Sequence, residues 1–323
     1  MSFLPGLDPA DDLPPLATKL GPKLRALAGR GVYFGTSSWK YEGWLGSIYT
    51  ARRYQTRGKL SRKKFEENCL AEYAATFPIV CGDFAFYQFP SADYWARLFE
   101  STPADFRFGL KVPEDITVAA WPGHARYGTR SGETNPSFLD AEIFERHFAQ
   151  LLRPYRDRVA TLIFEFGTFN TSTFATPDQF MTRLDAFLAA LPAGFRYAVE
   201  IRNPEYLIPE YLELLSARNV AHVFNAWTRM PGLEEQVQLP KAFTSDFTVV
   251  RALLRKGRSY EQAVEQFEPY RLTQEPNEEA REAIRQVAER SIKARKQAFV
   301  FVNNRLEGNA PMTIEAITQR LIY

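Results

Sequence analysis

Residues 196–204 read Arg196-Tyr197-Ala198-Val199-Glu200-Ile201-Arg202-Asn203-Pro204, a β-prone run that starts apolar and closes on two charges and a proline turn. Side chains two apart on a strand share a face, so Ala198, Glu200 and Arg202 point one way and Tyr197, Val199 and Ile201 the other. A buried charge is costly unless it is paired or functional. In open-topped α/β folds the C-terminal ends of strands carry the chemistry. The run therefore predicts sister strands that also end on polar residues.

Seven more such runs lie outward from it, at 32–36, 79–83, 106–111, 159–166, 220–225, 247–251 and 297–304. They close on, or run into, Ser37, Asp83, Lys111, Glu165, Asn225, Arg251 and the pair Asn303-Asn304. Helical patterns separate them: Ser61 precedes Phe65, Cys69, Tyr73 and Phe77, Thr176-Pro177 opens another, and Asn277 with Glu278 and Glu279 starts a long one. Eight strands alternating with helices predict a (β/α)8 TIM-type barrel over 32–323. A doubly wound sheet is the alternative, but no Gly-x-Gly-x-x-Gly follows the first strand. Residues 1–31 read as an N-terminal arm, disordered to residue 12 and then a helix whose Leu13, Leu16, Leu20, Leu24 and Leu27 are interrupted by Gly21-Pro22. Long inserted loops are expected at 52–64 and 114–136.

The chain has 323 residues, 45% hydrophobic and 24% charged, with a net charge of +2, enough for one large core and no general case for binding nucleic acid or membranes. Two cysteines, Cys69 and Cys81, make no disulfide framework, and no stretch reaches the roughly 20 apolar residues of a membrane span. A reducing cytoplasm is the expected setting. Local charge does cluster: 52–64 holds seven basic residues and no acid, read either as a solvated loop or as an anion-steering lid.

The stretch Gly35-Thr36-Ser37-Ser38-Trp39-Lys40-Tyr41, followed by Gly43-Trp44, resembles the opening signature of the YecE-like family, a domain of unknown function. The resemblance continues through Phe86-Tyr87, Phe106 to Pro113, Glu200 to Pro204, Asn225-Ala226-Trp227 and Asn303-Asn304 with Gly308 to Pro311. It implies a TIM-type barrel from Val32 to Tyr323 and carries no catalytic assignment. Three positions depart from the family pattern. Cys81-Gly82-Asp83 stands where a glutamate and an asparagine are usual, Glu165 where glutamine is common, and Arg305 where a histidine follows the paired asparagines.

At the mouth of such a barrel, Lys111, Arg202 and Arg251 are expected to bind an anionic, phosphorylated carbohydrate-like or nucleotide-like substrate. Glu200, Glu165 and Asp83 are the expected acid/base groups of a hydrolase or lyase, Glu165 and Glu200 as a carboxylate pair with one raised pKa. Asn225, Asn303 and Asn304 would orient hydroxyls, and Trp39, Tyr41 and Trp227 would stack on a ring. A core ion network in which Arg202 or Lys111 neutralises Glu200 is the competing reading. No organic cofactor motif is present; a divalent metal on Asp83, Glu165 and Glu200 is a secondary expectation, and His124, His147 and His222 form no ligand cluster. The alternative function is a non-catalytic module that binds single-stranded nucleic acid or a protein through 52–64. Oligomeric state is left open.

Overall fold

The computed structural model describes residues 13–321. Eight parallel strands close into a barrel: β1 (Val32–Thr36), β2 (Ile79–Gly82), β3 (Arg107–Lys111), β4 (Val159–Glu165), β5 (Tyr197–Glu200), β6 (Ala221–Ala226), β7 (Phe247–Ala252) and β8 (Gln297–Val302). Each strand pairs with its sequence neighbour, and β1 closes the ring by pairing with β8 along its whole length, Val32 opposite Ala298 through Thr36 opposite Val302. The expected strand ends hold to within one or two residues.

Two apolar layers follow from the two-residue alternation of strands. Inside the barrel, Ile79, Cys81, Ile163, Ala198, Val223, Val249, Phe299 and Phe301 pack together. Gly109 lacks a Cβ because the Phe301 ring fills that space. The other faces of the strands meet the outer helices in a larger core rich in phenylalanine, among them Phe34, Phe108, Phe164 and Phe224. Both cysteines are buried and free, and burial pushes each thiol up to about 12, which suits packing rather than nucleophilic attack.

Three segments differ from their sequence reading. The N-terminal helix Pro15–Gly29 runs unbroken through Pro22, because docking replaces what the missing N–H removes. Gly21 lets it approach the Ala75 carbonyl of helix Arg62–Thr76, Arg25 Nη1 donates to that same oxygen at 2.8 Å, and Lys19 pairs with Glu315 of the closing helix Ala310–Gln319. Residues 1–12, expected to be disordered, lie outside the described residues. In the basic stretch, Gln55–Thr56 and Lys59–Leu60 form a small hairpin turned by Arg57 and Gly58, both at positive φ, where glycine is unstrained. The long segment after β3 is pinned rather than loose: Asn135 Nδ2 donates to the Asp115 and Val118 carbonyls, and buried Glu114 accepts from Tyr127 Oη and Arg126 Nη2.

His222, expected at an early strand position, is fully buried on the outer face of β6, with its ring beside Tyr211 and Phe224. Burial lowers its pKa from the ordinary 6.5 to about 4, against a smaller opposing effect from Gln236. The unfolded chain therefore binds a proton between pH 6.5 and 4 that the folded chain refuses. Stability present above pH 6.5 should fall by about 3 kcal/mol as pH drops through that window. Urea unfolding of wild type and His222→Gln at pH 7 and pH 4.5 tests this, because the variant should lose that part of the acid sensitivity.

No helix among the described residues is long and apolar enough to cross a membrane.

Candidate functional site

The fold delivers one polar residue per strand to the first interior position at the C-terminal mouth: Ser37, Asp83, Lys111, Glu165, Glu200, Asn225, Arg251 and Asn303. Two residues earlier on each strand the interior is small or apolar, at Gly35, Cys81, Gly109, Ile163, Ala198, Val223, Val249 and Phe301. A polar ring thus sits on an apolar plug, the layering of a packed TIM-type barrel.

Most of the ring's charge is spent on itself. Lys111 Nζ bridges Asp83 Oδ1 at 3.1 Å and Glu165 Oε2 at 3.0 Å while lying 3.6 Å over the Phe86 ring. Arg251 reaches across the barrel so that its Nη1 contacts Glu165 Oε2 at 2.5 Å and also Glu200 Oε2. Arg202, two residues past Glu200 at the end of its strand, joins Glu165 Oε2 at 2.9 Å and donates through Nε to Glu200 Oε1 at 3.3 Å. Three cations therefore face three carboxylates, Asp83, Glu165 and Glu200. The competing reading of a core ion network describes the inner part of this arrangement.

The electrostatics agree. Burial would raise the Glu165 carboxyl, but Arg202, Lys111 and Arg251 outweigh it and hold it well below the ordinary carboxylate range. Glu165 is an ionised counterion, not the raised member of an acid/base pair. Its contribution to stability is present above its ordinary pKa and is lost as pH falls toward the depressed one. The places a metal would take between the carboxylates are filled by Lys111 Nζ and Arg251 Nη1. Among the described residues no group of three or more His, Cys, Asp or Glu side chains is placed to hold a metal ion.

Access separates the ring into two parts. Glu200, Arg251, Lys111 and Glu165 are buried, whereas the Asp83 side chain is 52% exposed and that of Arg202 is 16% exposed. Arg202 lies flat on Trp227, 3.7 Å from the ring centroid. Asn225 is fixed by its Nδ2 donating to the Ile201 carbonyl and by Gln236 bonding both its backbone N–H and its carbonyl. Asn303 Nδ2 donates to Ser37 Oγ at 2.5 Å. Asn304 leaves the site: its Oδ1 accepts from the Ala310 N–H and fixes the start of the closing helix, so the oxygen expected to orient a hydroxyl is already taken.

Beside the ring, a cleft of about 310 Å³ opens between the loop after β1 and the ends of β2 and β8. Ser37, Trp39, Lys40, Asp83, Tyr94 and Arg305 are among its lining residues, so it shares Asp83 with the charge network. Trp39 stands edge-on to Phe84, and Tyr41 is wedged between Trp44 and Tyr270. Arg305 lies over the exposed Tyr260 ring. Ser37, Lys40, Tyr94 and Arg305 were not among the expected site residues. The signal for the first two was in the polar, aromatic loop around Trp39, and for Arg305 in its departure from the family pattern.

A family model described as "Protein of unknown function DUF72" matches residues 33–323. The chain is 25% identical over 177 residues to the UPF0759 protein YecE of Escherichia coli strain K12, a match covering 54% of this chain and 50% of YecE. The chain spans about half the length of the curated relatives it matches. Among solved structures, a DUF72 family protein from Thermotoga maritima superposes with a TM-score of 0.59 at 22% identity, covering 90% of this chain and 98% of the other. One from Enterococcus faecalis does so with a TM-score of 0.58 at 16% identity, covering 90% and 96%. These two likenesses bear on the fold alone.

Proposed function

The chain belongs to the DUF72 family, and from that premise we propose that its barrel mouth is the site of a hydrolase or lyase acting on an anionic, carbohydrate-like or nucleotide-like substrate. The observation that carries this reading is Asp83, a half-exposed carboxylate on the wall of the cleft, oriented by buried Lys111 Nζ at 3.1 Å. A reachable base with a fixed orientation is what proton transfer needs. Asp83 takes the proton from a water or a substrate hydroxyl. Arg202, presented flat on Trp227 and partly exposed, offers its guanidinium to the substrate's oxygens. Glu165, Glu200 and Arg251 are positioning residues: they hold Lys111 and Arg202 without touching substrate. Asn225, whose Oδ1 has no partner among the described residues, bonds a substrate hydroxyl, and Asn303 orients Ser37. A cytoplasmic setting belongs to the same proposal.

Asp83→Asn removes a partly exposed charge and keeps the shape, so the variant should fold. Loss of a positioned general base lowers turnover by about 10²–10⁴-fold. The check is turnover of phosphorylated sugars and nucleotides by both proteins. An Asp83→Asn enzyme within tenfold of wild type sinks the assignment.

One observation favours a second reading, a binding module for single-stranded nucleic acid: the hairpin presents Arg57 and Lys59 exposed, followed by exposed Lys63 and Lys64. Such binding should weaken steeply with salt and with Arg57→Ser and Lys59→Ser.

A further inference from the structure

We infer that the cleft beside the charge ring is a recognition site for a phosphate monoester, and that the ligand is a compact hydroxylated one, of sugar-phosphate rather than nucleotide size. This rests on the reading of the mouth as a substrate site and names the substrate class.

Trp39 is 7% exposed and lines the cleft, and its indole Nε1 has no partner among the described residues. Trp44 and Trp95 share that lack deep in the core; Trp39 differs in lining the cleft. Arg305, another lining residue, has a buried Nε in the same condition. Ser37 Oγ already accepts from Asn303 Nδ2, which leaves its hydroxyl hydrogen to donate. Asn303 Oδ1 is used by the Arg305 backbone N–H, so it offers little to a ligand.

The unspent groups are therefore donors, and a buried donor calls for an acceptor. Lys40 adds an exposed positive charge at the same wall. Several N–H and O–H donors and two cations, all carried by residues that line one small volume, complement the acceptor-only oxygens of a phosphate monoester. Asp83 is the one carboxylate among the lining residues, and it repels an anion while accepting from a hydroxyl. A ligand with a phosphate at Trp39, Ser37 and Arg305 and a hydroxyl at Asp83 meets both demands. At about 310 Å³ the cleft lies at the small end of ligand pockets, which span about 300–1,000 Å³, and this favours one short phosphorylated polyol over a nucleotide.

The test is a ¹H–¹⁵N spectrum of the full chain, in which the indole N–H of each of the five tryptophans gives a separate signal and Trp39→Phe identifies that of Trp39. Titration with inorganic phosphate, and then with glycerol 3-phosphate, should move the Trp39 signal downfield and leave those of Trp44 and Trp95 in place. Trp39→Phe keeps the aromatic wall and should bind glycerol 3-phosphate at least about fivefold more weakly, as should Arg305→Lys, which retains the charge and loses Nε. Asp83→Asn should still bind inorganic phosphate. A Trp39 signal unmoved by both probes, or affinity unchanged in Trp39→Phe and Arg305→Lys, overturns the inference. Neither result touches the wider reading of the mouth, which falls separately if Asp83→Asn leaves turnover intact.

Discussion

Replacing Arg251 by methionine should lower the unfolding free energy by roughly 3–5 kcal/mol, the cost of stranding a buried charge. Glu200 is fully buried, and Arg251 joins it to Glu165 from across the barrel. Burial opposes the charge on Arg251, but Glu200 and Glu165 outweigh that and hold it firmly protonated. Remove the guanidinium and Glu200 keeps only the long contacts to Arg202, 3.3–3.4 Å. The double variant Arg251→Met/Glu200→Gln takes out one charge of each sign and leaves Lys111 and Arg202 opposite Asp83 and Glu165. It should recover most of the loss. Urea denaturation of wild type, the single variants Arg251→Met and Glu200→Gln, and the double variant gives the coupling directly. A single variant within 1 kcal/mol of wild type, or a double variant as unstable as the sum of the singles, would show that the ring is not one charge-balanced unit.

Gly35→Ala should be comparably damaging, by about 3 kcal/mol or more, through sterics instead of charge. Gly35 lies opposite Ile79 where β1 meets β2, and a Cβ there would collide with the Ile79 carbonyl oxygen. Backbone, unlike a side-chain tip, has little room to yield. The displaced strand end carries Ser37 and Trp39 with it, so any ligand bound in the cleft should also be lost. Gly29→Ala is the internal control: it ends the N-terminal helix with nothing within 4 Å of its Cβ position, and alanine there should be neutral or stabilising by up to about 1 kcal/mol. Thermal and urea unfolding of both variants checks the contrast. Equal stability of the two would refute the close-approach account of Gly35.

The barrel was legible because its strands are short apolar runs with a polar residue at the same end, and that end is where the two-residue alternation turns the last side chain inward. The ring of charges could be listed from sequence for the same reason. Its internal pairing could not. Arg251 is 86 residues from Glu165 and 51 from Glu200, and nothing local says that one guanidinium stands between the two carboxylates. The acid/base pair expected from neighbouring glutamates was a strand-adjacency argument, and a cation from the far side of the barrel overrode it. Asn304 illustrates the opposite error, since an asparagine beside a ring residue looks like a ligand group until the start of the next helix claims its Oδ1. In the basic stretch the charges were plain, but the Arg57-Gly58 turn was hidden by a positive φ on a non-glycine residue. Pro22 signalled a break that the Gly21 contact with Ala75 makes unnecessary.

The most direct measurement for the account is thermal unfolding of wild type and Arg202→Gln with sugar phosphates, nucleotides and short single-stranded DNA, each at low and high salt. A ligand at 100 times its dissociation constant stabilises by about 2.7 kcal/mol. A small phosphorylated ligand should raise the melting temperature of wild type, and the rise should be lost in Arg202→Gln, whose own fold persists. Stabilisation by DNA alone, steeply salt-dependent and unchanged in Arg202→Gln, would contradict it and move the function from the barrel mouth to the basic hairpin.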